Sequence, residues 1–131
     1  MKVLALDYGS ARTGVAVSDP TGTIARPLDV VERVGTPDGL KRLVDLIEQE
    51  GVDRVVVGMP LTMRGERGEQ AIETEQFVTT LSRALGRPVE TFDERFTTDL
   101  ASQTPSYAPE DARAAAHLLS GYLTWSSSVE A

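Results

Sequence analysis

Four acidic residues have settings that could do chemistry: Asp7, the neighbours Asp93 and Glu94, and Asp111. Asp7 ends the apolar run VLALD. Asp93 and Glu94 end the segment PVETFDE. Asp111 falls in the first turn of a segment whose apolar face carries Ala114, Ala115, Leu118 and Tyr122. A carboxylate at the end of a buried strand, or at the leading edge of a packing face, is poorly solvated and needs a partner or a cation. Three converging carboxylates repel one another, and a divalent cation relieves that. The chain has no cysteine and a single histidine, His117, which excludes thiolate and histidine-rich centres. The all-oxygen donor set that is left suits Mg²⁺ or Mn²⁺. Two such ions about 4 Å apart can clamp a phosphodiester, activate a water and stabilise the leaving oxygen. On this reading Asp7, Glu94 and Asp111 are the catalytic acids, and Asp7, Asp93, Glu94 and Asp111 are the candidate metal ligands. Strand alternation puts Asp93 and Glu94 on opposite faces. Glu94 shares the face of Phe92, and where the strand begins to curl decides which of the two binds metal.

A second constellation, DYGSARTG, follows Asp7 at once. Gly9 and Gly14 let a backbone approach a phosphate, with Ser10, Arg12 and Thr13 as donors. Each feature has a plainer reading. The glycines also permit a turn, and Asp7 also suits a cap on that turn. An acid in a helix first turn offsets the helix dipole without further purpose. Glu94 beside Arg95 also reads as a surface ion pair. Arg64 and Arg67 sit in a glycine-punctuated loop and read as solvated. His117 falls on the helix face away from Asp111 and reads as exposed. Tyr122 and Trp125 read as packing residues.

The elements that must position these groups follow from periodicity. Residues 2–7 carry apolar side chains on both faces, which suits a central strand covered on both sides. Residues 14–19 form a second strand after a connection of hairpin length. Residues 24–34 form a third, with Pro27 marking an edge or a bulge. Leu40, Leu43, Val44 and Ile47 then make one stripe of a helix, with Thr36 as N-cap, Pro37 at the first position and Gly51 as the stop. A strand over 53–58, a polar loop over 58–70, a helix over 69–85 and a strand over 88–94 follow. Residues 97–103 suggest a short helix capped by Thr97. The last helix spans 110–124 and leads into a polar tail. Three strands and then helix–strand units predict an α/β, ribonuclease-H-like fold. Its mixed five-stranded sheet has the first three strands antiparallel and helices on both faces. Asp7 and the Asp93–Glu94 pair then reach the same edge of the sheet, where ligands of open α/β sheets bind.

Length and charge bound the reading further. The 131 residues fit one domain, 1–131. The N-terminus lacks the pattern of a signal peptide, and no apolar run approaches the ~18 residues of a membrane span. Absence of cysteine suits a reducing cytoplasm. The formal charge of −7 weighs against nucleic-acid binding, which usually uses a basic face. Clustered cation-binding carboxylates account for part of it.

LALDYGSARTGVAVSD, VVVGMPLTMRGERGEQA, TFDERFTT and DARAAAHLLSGYL, in this order and spacing, resemble the YqgF family, also called RuvX-like Holliday junction resolvases or pre-16S rRNA nucleases. The resemblance covers nearly the whole chain. It implies a ribonuclease-H-like fold, a bacterial cytoplasmic location and divalent-metal nuclease chemistry. Two roles are implied: trimming the 5′ end of 16S rRNA precursors, and resolving four-way DNA junctions. Pre-rRNA is the favoured partner, branched DNA the alternative. The family's first-strand aspartate falls on Asp7, its DER acids on Asp93 and Glu94, and its last-helix aspartate on Asp111. Arg95 is the DER arginine, and Thr97 and Thr98 follow it. Gly9, Ser10, Arg12, Arg95 and Thr97 are the expected substrate-binding set. Many relatives have asparagine and an acid where this chain has Thr62 and Arg64. The fourth strand ends in Gly58-Met59-Pro60 and offers no carboxylate.

Two other classes compete. A phosphotransferase of the sugar-kinase and actin type has a similar first phosphate loop, but closes two domains over ATP. A weakly catalytic module that binds RNA or a ribosome-assembly partner would suit the acidic pI of about 4.7. A symmetric homodimer would serve junction cleavage, since two strands are cut.

Overall fold

A computed structural model describes residues 1–61, 64–94 and 109–130. Its elements are β1 (Val3–Asp7), β2 (Arg12–Ser18), β3 (Ala25–Glu32), α1 (Pro37–Glu50), β4 (Arg54–Met59), α2 (Glu69–Leu85), β5 (Glu90–Asp93) and α3 (Glu110–Glu130). The strands form one sheet in the order β3-β2-β1-β4-β5. β1 pairs antiparallel with β2 and β2 with β3. β4 runs parallel to β1, and β5 parallel to β4. This is the mixed five-stranded sheet expected from the sequence. The suggested short helix over 97–103 lies outside the described residues.

The two-faced pattern of β1 places it centrally. Leu4 and Leu6 enter one core with Leu43 and Ile47 of α1 and Phe77 and Leu81 of α2. Val3 and Ala5 enter a second core with Ala115, Leu118, Leu119 and Tyr122 of α3. Leu4 and Leu6 are fully buried, each worth about 1.5–3 kcal/mol relative to exposure. α1 begins as its capping pattern requires, with the Gly39 N–H donating to Thr36 Oγ1 at 3.1 Å.

Pro27 sits on the outer strand, where the β2–β3 register shifts between Val15 and Ala16. The open edge of β3 is partly closed by the chain itself. The Val30 N–H donates to Asp29 Oδ1 at 2.7 Å, and the Arg42 guanidinium donates to the Glu32 carbonyl at 3.1 Å.

α3 continues past 124, the end expected from sequence, through the serine-rich segment to Glu130. Residues 125–130 contain no glycine or proline, and extending an existing helix gains a hydrogen bond per residue. Trp125, inside this extension, lies 5.7 Å from Phe92 and 5.9 Å from Tyr122 between ring centroids. Among the described residues no helix is long and apolar enough to cross a membrane.

Candidate active site

Asp7 is the last residue of β1 and lies opposite Gly14 of β2. Side chains alternate along a strand, so Asp7 shares the α3 face with Val3 and Ala5. Glu94 follows β5 and shares that face with buried Phe92. Between them lies β4, whose Gly58 pairs with Phe92. A Cβ at Gly58 would stand 2.7 Å from Glu94 Oε1, 3.0 Å from its Cγ and 2.8 Å from Leu118 Cδ2. The missing side chain is therefore a slot through which Glu94 crosses β4 to reach Asp7. A strand that offers no acid of its own makes room for one from its neighbour.

Asp111 arrives from the third direction. The first turn of α3 presses onto β2 so closely that a Cβ at Gly14 would lie 1.8 Å from the Asp111 carbonyl oxygen. Only glycine allows that approach. Asp111 Oδ2 then stands 3.2 Å from Arg12 Nε. This pair is partly solvated, with the arginine side chain 65% exposed, so it contributes about 0–1 kcal/mol.

The electrostatics record the crowding. Burial pushes the Asp7 carboxyl up; a hydrogen bond from Glu94 opposes that, and the Asp111 charge adds to it. Glu94 is pushed up to about 7, by burial first, then by the Asp7 charge, their hydrogen bond and the Asp93 charge. Near neutral pH the Asp7–Glu94 pair holds a proton between its oxygens. Two carboxyls this close, both partly buried, do not both ionise readily.

The donors fit a hard divalent ion: three carboxylates from β1, the end of β5 and α3, with a glycine slot that one of them fills. Yet no three acidic or histidine side chains among the described residues are gathered closely enough to hold an ion. Asp111 is instead paired with Arg12. Glu94, not Asp93, makes the contact with Asp7; Asp93 acts on Glu94 through its charge.

The connection after Asp7 differs in part from expectation. Gly9 makes a tight turn, where a Cβ would lie 2.4 Å from the Arg12 carbonyl oxygen. Thr13 is fully buried and braces that turn, its hydroxyl donating to the Gly9 carbonyl at 3.2 Å and accepting from the Gly9 N–H at 3.4 Å. It is not a free donor for phosphate. Ser10 and Arg12 are exposed at the turn. Arg95 and Thr97 lie outside the described residues, as do Thr62 and Thr98. His117 is partly buried rather than exposed.

Sequence reasoning passed over Tyr8. Its ring stacks on Phe77 of α2, with centroids 4.5 Å apart, and its hydroxyl donates to Glu73 Oε1 at 3.0 Å. Burial, then Glu73, push this phenol up to about 12. Alternation was the available signal: if Asp7 faces α3, Tyr8 faces α2. The slot at Gly58 left no mark in the sequence beyond the glycine itself.

A family model described as RuvX, Holliday junction resolvase, matches residues 1–124. A candidate pre-16S rRNA nuclease of Chloroflexus aurantiacus is 50% identical over 101 residues, which cover 77% of this chain and 66% of that protein. This chain thus matches just under two thirds of that relative's length. Another of the same description, from Syntrophomonas wolfei, is 35% identical over 132 residues and 94% of each chain. Two Thermus thermophilus RuvC structures superpose on the chain. One, in complex with a Holliday junction substrate, has a TM-score of 0.67 at 15% identity, covering 100% of this chain and 98% of that one. The other has a TM-score of 0.68 at 14% identity, covering 98% and 97%. At those identities the likeness is one of fold, the ribonuclease-H-like fold.

Proposed function

The chain belongs to the RuvX family, and on that premise we propose that it is a divalent-metal-dependent nuclease that trims the 5′ end of 16S rRNA precursors. The observation that carries this reading is Glu94 lying across Gly58 of β4 toward Asp7, close enough for the two acids to act on one another, with the Asp111 charge felt at Asp7. Carboxylates perturbed by burial and by one another cluster at functional sites, and a divalent cation would relieve their repulsion.

Asp7, Glu94 and Asp111 are the residues that would hold Mg²⁺ or Mn²⁺. A bound divalent ion supplies Lewis-acid polarisation of a phosphate and a water of lowered pKa. The chain's own groups do the rest. β1 holds Asp7 rigidly at the centre of the sheet. Glu94 keeps a proton against Asp7 near neutral pH, and loss of that proton frees both carboxylates to act as ligands. Arg12 is placed to leave Asp111 for a phosphate, and the Gly9–Ser10 turn brings backbone close to it. Arg95 and Thr97 extend this set on family grounds. A 16S precursor as substrate would have the protein work in the bacterial cytoplasm.

The test is cleavage of a labelled 16S precursor carrying its 5′ leader, in Mg²⁺ or Mn²⁺, by wild type and Asp7→Asn. We expect metal-dependent cleavage that the substitution lowers by about 10²-fold or more. A four-way DNA junction is assayed in parallel. Cutting of the junction alone would move the substrate to branched DNA. Binding of either nucleic acid without cleavage at any metal concentration would replace the nuclease with an RNA-binding assembly module.

A further inference from the structure

β3 ends at Glu32, and the chain must turn to enter α1 at Pro37. It does so at Arg33, which takes a φ of +50° and is the one non-glycine residue with positive φ among those described. That conformation suits glycine or asparagine, and an arginine there is strained. The backbone is held on both sides. The Arg33 N–H donates to the Ala11 carbonyl at 3.0 Å. Its own carbonyl accepts from the Thr36 N–H at 3.0 Å and from Thr36 Oγ1 at 2.7 Å.

A glycine would make every one of these bonds without strain. What arginine adds is a cation on a long arm, rooted beside the Gly9–Arg12 turn. Arg12 lies opposite Glu32 in the β2–β3 register, so Arg12 and Arg33 flank one end of the sheet on the β3 side of the carboxylates. The Arg33 side chain is exposed, and its guanidinium makes no ion pair or hydrogen bond with the described residues. Further along β3 the surface turns hostile to phosphate. A groove of about 510 Å³ between β3 and α1 is lined by Asp29, Glu32 and Asp45, with Arg42 as its one cation. That arginine is committed to the Glu32 carbonyl. A polyanion leaving the carboxylates on this side meets Arg12 and Arg33 and is turned away from the groove below.

We propose that Arg33 is a phosphate-contacting residue that, with Arg12, holds the nucleic-acid strand where it leaves the carboxylate site on the β3 side. The proposal rests on the nuclease reading above and adds the direction of the strand to it.

The experiment compares wild type with Arg33→Gln, Arg33→Gly and Arg26→Gln. Arg26 lies at the far end of β3, where it pairs with Glu50 at 3.8 Å. Binding of the labelled 16S precursor and of a four-way DNA junction is titrated at several salt concentrations. Melting temperature and single-turnover cleavage at saturating protein are measured alongside. Arg33→Gln should weaken binding about three- to tenfold and lower the salt slope by roughly one, with cleavage of the bound substrate little changed. Arg33→Gly should lose the same affinity while its melting temperature holds or rises, because the strain is gone. Opposite movement of affinity and stability is what a merely structural residue cannot give. Arg26→Gln should bind as wild type does. A loss confined to the junction keeps the assignment and changes the substrate. Wild-type affinity and salt slope in both Arg33 variants, with wild type binding normally, overturns the assignment alone. Failure of wild type to bind either nucleic acid overturns it together with the nuclease reading.

Discussion

Replacing Gly58 with alanine should inactivate the protein while leaving it folded. The new Cβ would stand 2.7 Å from Glu94 Oε1, about 0.7 Å inside the 3.4 Å at which ordinary contact begins. It would also stand 2.8 Å from Leu118 Cδ2. Neither obstacle is backbone. The Glu94 oxygen is the far end of a flexible side chain, so the cheapest relief is for Glu94 to leave its slot and turn to solvent. Alanine in a strand gains about 0.5–1 kcal/mol over glycine, and repacking Leu118 costs about 1–3 kcal/mol. The net is a cost of about 0–2.5 kcal/mol, which departure of a proton-sharing acid from a half-buried site offsets in part. The melting temperature should move by no more than ~5 °C. Cleavage should fall about 10²-fold, as expected when a catalytic group is displaced by an ångström or more. The decisive assay pairs thermal unfolding with cleavage rate, and adds a ¹³C-carboxyl titration of Glu94. Its pKa should drop from about 7 toward the ordinary 4.5. A stable Gly58→Ala with wild-type activity would show that Glu94 need not lie over β4, and would refute the account of the site.

Three further outcomes follow from the same geometry. Gly14→Ala meets the Asp111 carbonyl oxygen at 1.8 Å, where backbone opposes backbone; chemical denaturation should show a loss of about 3 kcal/mol or more, with cleavage lost at temperatures where the variant is still folded. In chelator, stability should decline as pH rises from 5 to 8. Folding raises the Glu94 pKa from 4.5 to about 7, so the folded state binds the extra proton. Its contribution is complete below 4.5 and is lost through about 7, a slope in urea midpoints that Glu94→Gln should flatten. Tyr8→Phe keeps the stack on Phe77 and loses only the bond to exposed Glu73. Its cost should be under about 1 kcal/mol by urea unfolding, with cleavage intact.

The order of strands and helices could be read from periodicity because each element buries a face. β1 is apolar on both sides because both cores meet there, and the Leu40–Ile47 stripe has one partner. The carboxylates stood out for the same reason: Asp7 and Asp111 break apolar patterns. What stayed hidden depends on contacts between elements distant in sequence. Alternation allied Glu94 with Phe92, but the path to Asp7 required Gly58 on the intervening strand. Arg12 invited a phosphate role, and the structure turns it to Asp111. Thr13 resembled a free donor until its burial and its two bonds to Gly9 placed it inside the turn. The φ of Arg33 has no signature in residue type, since arginine is not expected there.

The site draws on the first strand, the last strand and the last helix, and one of its three supports is slight. β5 is an edge strand of four residues, held to the sheet by β4 alone. Short edge elements open at a fraction of the free energy of global unfolding. Fraying of β5 withdraws Glu94 while β1, β2 and β4 stay packed, so warming should silence the protein well before it melts. Synthesis imposes the same order in reverse. β1 is made before β5 and α3, so Asp7 meets Glu94 and Asp111 only after those later elements have emerged and docked. The acid pair is a marker of completed folding, assembled last and dismantled first.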